Sequence, residues 1–144
     1  MATGIQIVLD CTDPASLAVF WASALGYVVQ PPPEGFSSWA EFLAAAGVPE
    51  EEWNSASAII DPEGQGPRLF FQRVPEPKSV KNRLHLDVNA GGPHGTPLPD
   101  RIARVDGEVA RLVALGATAI SPMHQRGEYW VVMQDPEGNE FCVQ

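Results

Sequence analysis

Three residues with chemistry to offer, Arg83, His85 and Asp87, alternate along one short stretch of the chain. In an extended strand, alternation puts all three on the same face. A histidine beside a carboxylate is the usual arrangement for a general base or acid held in one tautomer. The same three side chains also make a self-contained His–Asp–Arg network that only braces a wall. A thiol, Cys142, stands in the closing run MQDPEGNEFCVQ. It reads either as a reactive thiol or soft metal ligand, or as a small filler in a strand. Gln6 and Asp10 share a face in an early run; Asp10 either joins a cavity polar set or caps its own loop, and Gln72, in a later run, either contacts a ligand or simply ends a strand. Trp39 with Phe42 forms either an aromatic lid or edge packing. Tyr129 and Trp130 must take opposite strand faces, so one of them lines a cavity and the other does not.

These residues need elements to hold them. Ile5 to Cys11 alternates and is β-branched, which predicts a strand. Asp13-Pro14 reads as a helix cap and first turn, with Leu17, Phe20, Trp21, Ala24 and Leu25 at helical spacing and Gly26 as the stop. Tyr27 to Gln30 is a short strand, stopped by three prolines. Ser38-Trp39-Ala40-Glu41 is a capping-box pattern opening a short helix. Ala56 to Ile60 and Leu69 to Val74 are strands around a first Asp-Pro-Glu-Gly turn at Asp61. A second series follows: a strand over Leu84 to Val88, a loop over Gly91 to Pro99, and a helix capped by Asp106 and ended by Gly116. Strands over Thr118 to Ser121, Tyr129 to Met133 and Glu140 to Val143 complete it, around a second Asp-Pro-Glu-Gly at Asp135.

The two series run in the same order. Leu9-Asp10 answers Leu86-Asp87, Leu25-Gly26 answers Leu115-Gly116, and the Asp-Pro-Glu-Gly turn at Asp61 answers that at Asp135. Three landmarks in one order indicate a duplication. The expected fold is α+β: two βαβββ repeats, each a small curved mixed sheet with a helix on its outer face. One domain over 1–144 would contain modules at about 1–75 and 82–144. Each helix should cover Ile5, Ile7 and Leu9 in one half, and Leu84, Leu86 and Val88 in the other. The opposite faces would curve around a shared cavity, with Gln6, Val8 and Asp10 facing Arg83, His85 and Asp87. In the last strand Phe141 and Val143 take the core face, and Glu140, Cys142 and Gln144 the other.

The motifs Asp13-Pro14…Phe20-Trp21…Leu25-Gly26-Tyr27, Asn82 to Asp87 and Asp135 to Cys142 resemble those of the vicinal oxygen chelate superfamily. That group holds glyoxalase I, bleomycin-resistance proteins and extradiol dioxygenases, and the likeness is to its glyoxalase-like branch, over nearly the whole chain. The resemblance implies a small-molecule ligand and a homodimer. In metal-using members the ligands sit on the first and last strands of each half, which here are Gln6, Gln72, Arg83 and Cys142. Arg83 has no lone pair to give, and a two-residue shift of register puts His85 in its place. The implied metal set is then Gln6, His85 and Cys142, which with a thiolate suits zinc better than a hard cation. The resemblance leaves open a divalent metal or none.

Charge narrows the partners. Eighteen acids against nine bases give a net charge of -9, which argues against nucleic acid and anionic membrane surfaces. No apolar run is long enough to span a membrane, and the start shows no secretory pattern, so a cytoplasmic protein with Cys11 and Cys142 as free thiols is expected. Two functions remain. One is an enzyme of lyase, isomerase or oxygenase type acting on a small oxygenated or carbonyl compound, with His85 and Asp87 catalytic and Gln6, Asp10, Trp39, Gln72, Arg83, Trp130 and Cys142 around the ligand. The other is a non-catalytic, drug-sequestering binding protein of the bleomycin-resistance kind.

Overall fold

The computed structural model describes all 144 residues, in two compact units, Met1–Pro77 and Lys78–Gln144. The first holds β1 (Ile7–Cys11), α1 (Pro14–Leu25), β2 (Val28–Val29), α2 (Trp39–Ala45), β3 (Ala56–Ile60) and β4 (Leu69–Arg73). The second holds β5 (Asp87–Val88), α3 (Leu98–Ala114), β6 (Thr118–Gln125), β7 (Glu128–Gln134) and β8 (Glu140–Val143). The sheets are ordered β1-β4-β3-β2 and β5-β8-β7-β6. In both, the first strand of the unit runs parallel to the last and the remaining pairs are antiparallel. This is one topology used twice, the two-repeat α+β fold that the landmarks predict.

Local chemistry explains the first helix well. The Asp13 carboxylate accepts from the Ser16 backbone N–H at 3.2 Å and the Ser16 hydroxyl at 2.7 Å, and Pro14 opens α1. Asn54 donates to Asp13 at 2.8 Å and accepts from the Ala15 N–H at 2.9 Å, tying the helix start to the approach of β3. Gly26, at φ 70°, supplies the left-handed residue that ends it. Leu17, Phe20 and Trp21 of α1 are buried, as are Ile59, Leu69 and Phe71 of the sheet. Val105 and Leu112 of α3 are buried with Val131, Met133, Phe141 and Val143 of the second sheet.

The two Asp-Pro-Glu-Gly turns are folded by their aspartates. Asp61 accepts from the backbone N–H groups of Glu63, Gln65 and Gly66. Asp135 accepts from those of Glu137 and Asn139 and from the Asn139 side chain. Such Asx-type bonds let a short loop enter the final strand of each unit in fixed register.

Several expectations need correction. Ile5 and Leu84 do not join the core; each is 74% exposed. The strand ladders begin at Ile7, opposite Leu69, and at Asp87, opposite Cys142. Both residues precede the first rung, so no partner strand turns them inward. Asp106 is not a cap. The helix starts a turn and more earlier, at Leu98 after Pro97, and Asp106 lies inside it, accepting a 2.5 Å bond from the Tyr129 hydroxyl. The two prolines that suggested loop, Pro97 and Pro99, sit at a helix start, where the missing N–H costs nothing. The strand expected to end at Ser121 runs on to Gln125 through Pro122, which an edge strand tolerates. A turn at Arg126-Gly127, both at positive φ, joins it to β7.

Candidate functional site

The second sheet carries one row of residues across all four strands. Asp87 pairs with Cys142, Cys142 with Val132, and Val132 with Ser121. Their side chains share a face by strand parity, and the alternate residues Phe141 and Val143 fill the core behind them. His85, two residues before Asp87, brings its Nδ1 to 3.1 Å from Asp87 Oδ1. One donor atom each from His85, Asp87 and Cys142 falls within 4.8 Å of the others. The cluster opens on a cavity of about 510 Å³, whose lining includes Trp130, Val132 and Glu140.

The electrostatics of this cluster are defined by its neighbours. Burial pushes the Cys142 thiol up, and the Asp87 carboxylate pushes it further, with Lys81 opposing. As it stands Cys142 is a protonated thiol, not a nucleophile. The backbone N–H of Asn82 donates to Glu140 at 2.9 Å and holds its carboxyl below the usual range, helped by Lys78 at 3.2 Å. Glu140 is therefore an anchored anion at the cavity. The tautomer of His85 with its proton on Nδ1 donates to Asp87 and leaves the Nε2 lone pair free.

Tyr129 and Trp130 separate as strand parity requires. Tyr129 is buried and reaches Asp106 on α3. Burial, then the Asp106 bond, push its hydroxyl up to about 12. Trp130 takes the face of Val132. Arg83 is exposed and stands outside β5, and it is not among the residues lining the cavity.

The candidates in the first unit form different groups. Asp10 lies opposite Gln72, whose side chain donates to it at 3.4 Å. The Gln6 carbonyl oxygen accepts from Arg68 Nη1 at 2.7 Å. Trp39 opens α2, capped by the Ser38 hydroxyl; Glu41 reaches back to the Ser37 N–H, one residue earlier than a capping box places it. Trp39 also lines a cavity of about 550 Å³ with Trp53, Leu43 and Phe70. Sequence reasoning missed Trp53, Phe70 and Arg68 here. Phe70 had a legible signal, because it shares a strand face with Gln72.

Comparison with known proteins agrees with this architecture. The family model of the glyoxalase-like domain matches residues 6–144. A structure of a possible glyoxalase from Bacillus cereus has a TM-score of 0.61 at 17% identity, covering 99% of both chains. A glyoxalase/bleomycin resistance protein/dioxygenase family enzyme from Burkholderia phytofirmans PsJN has a TM-score of 0.60 at 15% identity, over 96% of this chain and 94% of that one. The fosfomycin resistance protein FosX from Listeria monocytogenes, as a mutant complexed with Mn(II) and 1S,2S-dihydroxypropylphosphonic acid, has a TM-score of 0.63 at 12% identity, over 100% and 90%. No curated protein sequence matches this chain. At these identities the structures speak for the fold alone. No helix is long and apolar enough to cross a membrane. The duplicated βαβββ topology and the match over 6–144 carry one conclusion: the chain belongs to the glyoxalase-like domain family, within the vicinal oxygen chelate superfamily.

Proposed function

We propose that this protein is a small-molecule enzyme of the glyoxalase-like type, with His85, Asp87 and Cys142 as its reacting centre. Its substrate would be a small oxygenated or carbonyl compound, and its chemistry of lyase or isomerase kind, in which a proton leaves or joins a carbon beside a carbonyl. The observation that carries the reading is the convergence of nitrogen, oxygen and sulfur donors within 4.8 Å on one sheet face beside a cavity. Concave sites with an apolar wall and a few convergent polar groups are the usual form of small-ligand sites. In this reading the free Nε2 of His85 takes the substrate proton, and Asp87 stabilises the imidazolium so formed. Trp130 and Val132 exclude water from one side.

The donor set also fits a divalent metal. One imidazole, one carboxylate and one thiolate match a three-ligand zinc site with an open fourth position. The thiol makes a borderline-soft ion a better fit than the Mn(II) of the Listeria protein. A cation there would reverse the upward push on Cys142, because a coordinated thiol is deprotonated. Such an ion, when bound, polarises a carbonyl oxygen or activates water. Gln6, with its side-chain oxygen engaged by Arg68, is the weakest member of the set expected from the sequence. A cytoplasmic homodimer is part of the same proposal, on family likeness.

The test is a screen of carbonyl and oxygenated substrates with metal-free protein and protein reloaded with zinc. Turnover should appear and fall about 100-fold or more in His85→Ala, the usual worth of a general base. Turnover that His85→Ala and Cys142→Ser both leave intact would overturn the assignment. The second reading, a non-catalytic binding protein, is favoured by the tryptophan-lined cavity of the first unit, and saturable ligand-induced stabilisation without any turnover would select it.

A further inference from the structure

The cavity of the first unit is built unlike the one in the second. At about 550 Å³ it falls within the roughly 300–1,000 Å³ typical of small-ligand sites. Its walls include Val19, Val29, Leu43 and Ala58, with the indoles of Trp39 and Trp53. Both indoles are fixed. Trp39 Nε1 donates to the Gln30 carbonyl at 2.7 Å, and Trp53 Nε1 to the Val48 carbonyl at 2.9 Å. Phe42 braces Trp39 edge-on at 5.8 Å. With their only polar atoms already bonded, these rings present apolar faces whose ordering cost is met before any ligand arrives.

Arg68 also lines this cavity. Its Nε donates to the side chain of Gln30 at 2.7 Å and its Nη1 to that of Gln6 at 2.7 Å. The guanidinium lies over the Phe70 ring, 5.3 Å from its centroid. None of the chain's ion pairs involves it. This half-buried arginine is held only by neutral amide oxygens and an aromatic face, and Nη2 remains to donate. Gln30 holds both parts of the site, Arg68 through its side chain and Trp39 through its backbone. Glu52, on the exposed turn before β3, is the one acid among the lining residues.

From this arrangement we infer that the first-unit cavity is a binding site for a planar aromatic or similarly apolar monoanion, a carboxylate in the simplest case. The ring lies against Trp39, Trp53 and Phe70, and the anion meets Arg68. The net charge of the protein would favour a cation; the local cation decides otherwise, because a guanidinium in an apolar setting outweighs solvent-screened acids, the exposed Glu52 included. Its residues all lie in Met1–Pro77, whereas those of the His85 centre lie in Lys78–Gln144.

The test uses the full chain and three probes of one shape: 2-naphthoate, 2-naphthylmethanol and 2-naphthylmethylammonium. Calorimetry should show naphthoate binding about ten-fold or more tighter than the neutral alcohol, the usual worth of a charge-assisted hydrogen bond. The ammonium probe should bind weakest. Arg68→Met should remove the preference for naphthoate over the alcohol, and Arg68→Lys should restore part of it. Trp39→Ala should weaken naphthoate and alcohol alike. His85→Ala should change none of these values, so the outcome is separable from that of the proposed enzyme. Equal affinity for the three probes, preference for the ammonium, no binding at millimolar concentration, or an unchanged preference in a folded Arg68→Met would each overturn it.

Discussion

The two units of this protein share a strand order and differ in what they place on equivalent positions. In the first, β1 and β4 set Val8, Asp10 and Gln72 on one face, with Asp10 opposite Gln72. In the second, the corresponding strands set Asp87 opposite Cys142, and His85, just before β5, reaches Asp87. The aspartate is the same in both. Beside it a valine has become a histidine, and across from it an amide has become a thiol. The first unit thus has a neutral amide donating to a carboxylate. The second has a base, a carboxylate and a soft donor within reach of one another. A duplicated fold supplies two scaffolds of one strand order, and the side chains at matching positions give them different chemistry.

The largest expected effect comes from erasing that difference. Copying the first unit into the second with His85→Val and Cys142→Gln should lower turnover by at least about 100-fold, the minimum for losing a general base, while the thermal midpoint moves little. A comparable loss on replacing Val8 or Gln72 instead would break the comparison.

Stability should divide evenly where the scaffolds are equal. Phe71 and Phe141 are both fully buried, on β4 and β8. Each truncated to Ala should cost about 3–5 kcal/mol by denaturant unfolding. A large asymmetry would mean the cores are not equivalent. The turns should be less even. Asp135 is 3% exposed and holds three donors, so Asp135→Ala should cost about 1–3 kcal/mol. Asp61, more open to water, should cost clearly less. The cap of α1 has no counterpart on α3, which begins at Pro97 without a side-chain bond. Asp13→Ala should therefore cost about 1 kcal/mol, and no residue at the α3 start should match it.

The smallest effects are those of pH. Tyr129 has its hydroxyl pushed up to about 12 by burial and then by Asp106. A folded value above the unfolded one means stability that is complete below about pH 10 and lost as pH rises from there toward 12. Tyr27 of the first unit shifts the same way through burial and Asp61. Tyr129→Phe should flatten the alkaline limb of stability measured across that window. Asp13 works at the other end. The Ser16 hydroxyl and Asn54 hold its carboxyl below its usual value, so its contribution is present above about pH 4 and declines as acid protonates it. Asp13→Asn should flatten the acid limb.

Much of this was legible in the residues. The duplicated landmarks gave the topology, because helix caps and Asx turns are local and read from a few side chains. The faces of β8 followed from alternation alone: Phe141 and Val143 inward, Cys142 outward. What failed was set by partners distant in sequence. Leu84 looks like core until β8 proves to pair only from Asp87 onward. Asp106 looks like a cap until two prolines begin the helix at Leu98. Arg68 carried no pattern of its own, because its role depends on Gln6 and Gln30, which are brought to it by the sheet and by the strand exit before α2. His85 and Asp87 could be paired from spacing; Cys142 joined His85 only through the family resemblance, and its place opposite Asp87 required the register of β5 on β8.

Cobalt(II) titration tests most directly whether the second unit alone holds an imidazole and a soft donor poised together. Added to metal-free protein, cobalt should bind at one equivalent and give the thiolate-to-metal charge-transfer absorption of a Cys142 ligand. That absorption should vanish in Cys142→Ser and in the His85→Val, Cys142→Gln variant, and persist in Cys11→Ser. Failure to see the band in the wild-type protein, or its survival in Cys142→Ser, would contradict the account.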